Sequence, residues 1–126
     1  MTTILILEDE PFIALDIETI LEERGHGDFV TFSTKTEADI WLKENTPPVA
    51  IVDPRLSDGV CTGVARHLVD RGIPFIVYSG ETESVSELEP AFAQGELLMK
   101  PTAPEVLVDA VERALNCFEA RRNSAS

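Results

Sequence analysis

Nowhere does this 126-residue chain carry an apolar run near the roughly 18 residues that a membrane-spanning helix needs. A transmembrane helix is therefore excluded. Met1 to Leu7 lacks the basic start of a secretory signal, so a leaderless, cytoplasmic location is the expectation. Cysteine is scarce. Cys61 and Cys117 are too few for a disulfide framework and read as reduced thiols. Positive charge is scarce too: 10 Lys and Arg stand against 23 Asp and Glu, a net charge of −13. Such a chain repels nucleic-acid phosphates and anionic membranes. No direct nucleic acid and no membrane partner is expected, whereas divalent cations and basic protein surfaces suit it. Internal repeats, low-complexity blocks and linkers are also missing. What remains is globular in composition, 44% hydrophobic and 26% charged, which implies one domain over 1–126. Its core would run from about 3 to 121, with a polar tail over 122–126.

The segments alternate in type. Ile4-Leu5-Ile6-Leu7 and Val49-Ala50-Ile51-Val52 are continuous apolar runs, as are Phe75-Ile76-Val77-Tyr78 and the shorter Leu97-Leu98-Met99. Short runs of this kind suit strands buried on both faces. Phe29 to Phe32 reads as a further strand. Between them lie helix patterns at Pro11 to Arg24, from Thr34 through Trp41 and Leu42, at Gly63 to Arg71, at Ser84 to Gln94 and from Thr102 to about Arg121. Thr34 with Glu37, and Thr102 with Glu105, have capping-box spacing. The Ser84 to Gln94 segment is the weakest, because Pro90 interrupts it. Five strands alternating with five helices imply an α/β fold: a five-stranded parallel sheet, doubly wound as (βα)5. In such sheets the working site lies beyond the carboxyl ends of the strands.

Those ends carry Glu8, Asp9 and Glu10, then Asp53, then Ser79, then Lys100 followed by Pro101. Two unit charges about 4 Å apart repel by roughly 4 kcal/mol at an effective dielectric near 20, so three gathered carboxylates need compensation. A hard cation such as Mg²⁺ relieves them, and Lys100 adds a fixed positive charge. Carboxylate nucleophile, metal, hydroxyl and ammonium together form a phosphoryl-transfer set. Each residue alone has a simpler reading. Glu8 and Asp9 are as apt to cap the next helix, Ser79 is an ordinary turn residue, Lys100-Pro101 a helix entry, and Asp53-Pro54 turn chemistry. The signal is the conjunction.

With these residues in view, the sequence resembles a response-regulator receiver domain of two-component signalling, with the flavodoxin-like fold. The stretches that carry the resemblance are Ile4-Leu5-Ile6-Leu7-Glu8-Asp9-Glu10, Val52-Asp53-Pro54-Arg55-Leu56-Ser57-Asp58-Gly59, Val77-Tyr78-Ser79-Gly80 and Met99-Lys100-Pro101. The resemblance implies a role for each. Asp53 would accept the phosphoryl group. Glu8 (through water), Asp9, Asp53 and the backbone carbonyl of Arg55 would hold Mg²⁺. Ser79 would be the switch hydroxyl, and Lys100 would touch a phosphoryl oxygen, with a cis peptide to Pro101. The donor would be a phosphohistidine on a histidine kinase or histidine phosphotransfer protein. Neither His26 nor His67 suits that role, and both read as surface residues. The protein would be a switch with self-catalysed phosphorylation and dephosphorylation, not a turnover enzyme. Output would pass by protein contact to an unknown downstream target, and a homodimer formed on phosphorylation is an open outcome.

Two features depart from the common pattern. Receivers usually carry Tyr or Phe three residues before the Lys, where this chain has Leu97. Tyr78 is a poor substitute, because strand alternation points it away from the Ser79 side and suits it to core packing. The stretch from Gly80 to Gln94 is helix-poor. With Pro74-Phe75 before the fourth strand and Gly80 after the hydroxyl, it resembles an atypical alphaproteobacterial subgroup of stand-alone receivers. Arg55 and Glu81 are candidates to pair across the phosphoryl group and slow attack by water. Two solvated loop charges are the simpler reading, since exposed pairs are worth only about 0–1 kcal/mol.

Three rivals remain. A pseudo-receiver would be a phosphorylation-independent protein-binding module, and Leu97 keeps that reading alive. A haloacid-dehalogenase-type hydrolase needs a second Asp where Arg55 stands. A flavin or nucleotide binder on this fold would want a glycine-rich first βα turn, but Glu8-Asp9-Glu10 is acidic.

Overall fold

The structure is a computed structural model, which describes residues 3–80 and 89–124, with side chains as far as Arg121. Strand β1 (Ile4–Leu7) leads to helix α1 (Pro11–Glu23), β2 (Phe29–Phe32), α2 (Lys35–Leu42) and β3 (Ala50–Val52). A small hairpin follows, β4 (Arg55–Leu56) and β5 (Gly59–Val60), then α3 (Thr62–Asp70) and β6 (Phe75–Ser79). A 3₁₀ turn over Pro90–Gln94, β7 (Glu96–Met99) and α4 (Pro104–Ser124) complete the order. The main sheet runs β2-β1-β3-β6-β7 and every pairing in it is parallel. The expected doubly wound α/β sheet is thus present.

Period-two alternation builds two separate cores, one on each face of the sheet. Leu5, Leu7, Ala50, Val52, Phe75 and Val77 point to the face covered by α2 and α3. Ile4, Ile6, Ile51, Ile76 and Tyr78 point to the face covered by α1 and α4. Both faces of the central strands are therefore dry, which is why those strands read as unbroken apolar runs. Burying each such Leu or Ile is worth roughly 1.5–3 kcal/mol.

Helix ends follow local chemistry. Pro11 opens α1 at its first position, and the chain turns at Gly25 with φ +83°. At α2, the Thr34 hydroxyl accepts from the Glu37 backbone N–H at 3.2 Å, as the capping-box spacing predicts. The second capping box does not form. Thr102 donates its hydroxyl to the Met99 carbonyl instead, and α4 begins two residues later at Pro104. The expected helix at Ser84 to Gln94 is also corrected where it can be seen. Pro90–Gln94 is a 3₁₀ turn, opened by the Glu89 carboxylate accepting from Ala91 N–H at 3.1 Å, and residues 84–88 lie outside the described residues. The β4–β5 hairpin was not expected at all.

Gly95 is needed for close approach. A Cβ there would sit 2.5 Å from the Phe75 ring and 2.9 Å from its carbonyl oxygen. The missing side chain lets the chain enter β7 tight against β6.

Candidate acidic site at the strand ends

Parallel strands of matched register bring distant residues to one rim. Leu7 pairs with Val52, and Val52 with Val77, so Asp53 emerges between the ends of β1 and β6. Asp53 N–H donates to the Leu7 carbonyl at 2.9 Å, which carries the sheet ladder one residue into the site. Glu8, Asp9 and Asp53 each bring a carboxylate oxygen within 4.8 Å of the others. Glu8 is buried, 3% exposed, and Asp9 and Asp53 are half-buried.

Lys100 enters from the end of β7. Its Nζ lies 2.6 Å from Glu8 Oε1 and 3.0 Å from Asp53 Oδ2. Burial pushes the Glu8 carboxyl above its ordinary value, more strongly than the Lys100 hydrogen bond lowers it. Burial by itself would lower Lys100, but its hydrogen bonds to Glu8 and Asp53 outweigh that and raise it. The ammonium is therefore held charged. One ammonium against three carboxylates leaves the rim electronegative, the setting that draws a divalent cation. The donor set is all oxygen, which suits Mg²⁺ rather than a soft metal.

Ser79 is the last residue of β6 and is fully buried. Its carbonyl accepts from Lys100 N–H at 2.8 Å, so the hydroxyl residue and the ammonium residue are tied through the backbone. The Lys100-Pro101 peptide is cis. Arg55 is exposed at the start of β4, and its N–H donates to Asp53 Oδ1 at 3.0 Å. Gly80 is exposed, and a Cβ there would meet the Lys100 side chain only at an ordinary 3.8 Å. The helix-capping reading of the first acidic pair does not suit α1. Its N-cap is Glu10, which makes no side-chain cap, although Glu8 does accept from Glu10 N–H at 3.1 Å.

Known proteins resemble the chain in sequence and in fold. No protein-family model matches the chain. It is 34% identical to the phyllosphere-induced regulator PhyR of Methylorubrum extorquens over 98% of its own length, and it spans about half of that relative, 48%. It is 32% identical to SdrG from Sphingomonas melonis, covering 94% of this chain and 96% of that one, with a TM-score of 0.72. The signal receiver domain of a histidine kinase from Syntrophus aciditrophicus is 28% identical, with 92% and 91% covered and a TM-score of 0.78. This chain is a response-regulator receiver domain.

Other residues of the receiver sit differently from expectation. Leu97 is 49% exposed on β7, so no buried side chain occupies the place where an aromatic is usual. Tyr78 packs in the α1–α4 core as expected, but its ring also lies 5.5 Å from Lys100 Nζ, close enough for a cation–π contact. The two histidines are not simple surface residues. His26 is half-buried and meets Glu112 at 3.2 Å, while His67 is half-buried with its Nε2 shut from solvent. Glu81 lies outside the described residues, so the Arg55–Glu81 pair stays an expectation.

Sequence reasoning missed two polar anchors. Asp58, at the hairpin tip, accepts from the backbone of α2. Glu89 is buried and pairs with Arg66 of α3 at 2.7 Å. The Ser57-Asp58-Gly59 run signals a tight turn and so hints at the first. For the second no local signal exists, because its partner is remote in sequence.

Proposed function

We propose that the receiver is a phospho-accepting switch in a phosphorelay, with Asp53 as the acceptor. One observation carries this reading: Asp53 shares its oxygens between a carboxylate cluster fit for a cation and the Lys100 ammonium at 3.0 Å. Mg²⁺ would be held by Asp9, Asp53 and the Arg55 backbone carbonyl. Glu8 would reach it through water, in keeping with its direct bond to Lys100. The cation would neutralise charge that develops on the phosphoryl oxygens.

The residues then divide the work. An Asp53 carboxylate oxygen attacks phosphorus as the P–N bond to the donor imidazole breaks; the donor ring carries a proton on its other nitrogen, so it departs as neutral histidine and leaves an aspartyl phosphate. Lys100 shifts a hydrogen bond from the Asp53 carboxylate to a phosphoryl oxygen. The Ser79 hydroxyl donates to another. The donor is a histidine kinase or histidine phosphotransfer protein. The receiver acts as a switch rather than a turnover enzyme, and its output passes by protein contact. Likeness to the Methylorubrum and Sphingomonas proteins supports membership of the atypical alphaproteobacterial subgroup.

Acetyl phosphate, with and without Mg²⁺, tests the reading by intact mass. Wild type gains one phosphoryl group only with Mg²⁺, and Asp53→Asn gains none. Failure of wild type to gain mass or to bind beryllofluoride favours the pseudo-receiver, the reading that the exposed Leu97 supports.

A further inference from the structure

The loop after Asp53 is anchored at both ends and at its tip. At its base, Arg55 N–H donates to Asp53 Oδ1, and Cys61 N–H donates to the Pro54 carbonyl at 3.1 Å. Arg55 pairs with Val60 and Leu56 with Gly59, which closes the β4–β5 hairpin, and Leu56 is buried in the core. Gly59 supplies the φ of +119° that the turn demands.

The hairpin tip docks on the start of α2. Asp58 Oδ1 accepts from Lys35 N–H at 2.9 Å. Asp58 Oδ2 accepts from Thr36 N–H at 3.2 Å and from the Thr36 hydroxyl at 3.0 Å. Ser57 Oγ donates to the Ser33 carbonyl at 3.1 Å. A helix leaves its first N–H groups without intrahelical partners, and here two of them are satisfied from a different part of the chain. Thr34 takes the next one, the N–H of Glu37. The carboxylate also sits at the positive end of the helix dipole, and its hydrogen bond from Lys35 N–H leads the lowering of its pKa.

Thr34, next to α2 in sequence, already supplies one cap. The second grip on the helix comes from the loop that begins at Asp53, so holding the helix also fixes the loop. We propose that Asp58 is a positioning residue. By gripping the N-terminus of α2 it holds the 53–61 backbone where Asp53 and Arg55 complete the cation site with Glu8 and Asp9. This inference rests on the acidic cluster being a Mg²⁺ site.

The test is a Mg²⁺ titration of the full chain, followed through the backbone amide NMR shifts of Glu8, Asp9 and Asp53. Thr34→Ala is the control, since it uncaps the same helix without touching the loop. Asp58→Ala is expected to weaken Mg²⁺ by about tenfold, the scale seen when outer partners of metal ligands are removed. Thr34→Ala should change it by less than about twofold, although both variants lower the melting temperature. Asp58→Asn keeps one acceptor oxygen and should fall between wild type and Asp58→Ala, and it stands in if Asp58→Ala does not fold. Equal weakening by Asp58→Ala and Thr34→Ala, or none by either Asp58 variant, overturns the proposal and leaves Asp58 a helix cap only. If wild type itself shows no saturable Mg²⁺ response, the cation-site reading fails first and takes this inference with it.

Discussion

On the β3 side of Asp53 the chain is central and covered, and on the β7 side it is an exposed edge. β3 is a central strand, buried along its whole length, with β1 and β6 as neighbours. The loop beyond it is fastened to the start of α2 by Asp58 and to Ser33, just before that helix, by Ser57. β7 is an edge strand paired only with β6 among the described residues, and it presents Leu97 and Met99 to solvent. Both flanks reach the same carboxylate, one through Arg55 N–H and the other through Lys100. The difference shows two ways of placing a group at a site. Directional hydrogen bonds hold a short loop that has little core of its own, whereas the edge strand is held by one ladder, by Leu98 against the α1–α4 core, by the exposed Glu96–Arg113 pair and by the inward reach of Lys100.

Removing Lys100 should break this comparison most severely. Lys100→Met leaves Glu8 buried without its ammonium, and uncoupling a buried charge in this way costs on the order of 3 kcal/mol. Urea denaturation at neutral pH measures the loss. The pH dependence has a definite sign. Without its partner Glu8 titrates higher still in the folded state, so the folded state binds the extra proton and stability falls as pH rises. The deficit should therefore shrink as pH drops toward the unfolded carboxyl value, about 4.3.

Gly95→Ala comes next. Its Cβ would press on the Phe75 ring and carbonyl, and overpacking of that kind costs about 1–3 kcal/mol. Thermal unfolding reads the effect, and an unchanged melting temperature would mean that β7 can slide away from β6 freely. Asp9→Asn works in the opposite direction. It relieves repulsion in the carboxylate cluster, so without divalent cations the variant should gain on the order of 1 kcal/mol while losing Mg²⁺-dependent stabilisation. The smallest effect belongs to Leu97→Ala, expected to stay within about 0.5 kcal/mol because the side chain is already half in water. A larger loss would show that the β7 flank is packed more firmly than its exposure implies.

Much of the fold is legible from local pattern. Continuous apolar runs marked the three central strands because strands covered on both faces must be apolar at every position, whereas the edge strands β2 and β7 are only partly covered. Thr34 with Glu37, and Pro11 with Gly25, marked helix ends because the signal and its partner are neighbours in the chain. The same logic failed at Thr102, where the Met99 carbonyl competed for the hydroxyl. It failed again at Pro90–Gln94, a five-residue 3₁₀ turn that opens at the proline and stops at Gly95. The site residues were legible as types at strand ends, but their bonding was not. That Lys100 pairs more closely with Glu8 than with Asp53, and that Tyr78 lies near the ammonium, could not be read from spacing.

Alternation and apolar runs, which act over a few residues, determined the sheet, its two faces and the rim where the acids gather. Only the folded chain decided which charge each acid meets and how the loop after Asp53 is held. Those interactions join residues 92 positions apart in the Glu8–Lys100 pair and 22 or 23 apart in the Asp58 contacts. Hydrogen bonds and ion pairs depend on distances of a fraction of an ångström, and such distances exist only after the strands have registered and both cores have closed.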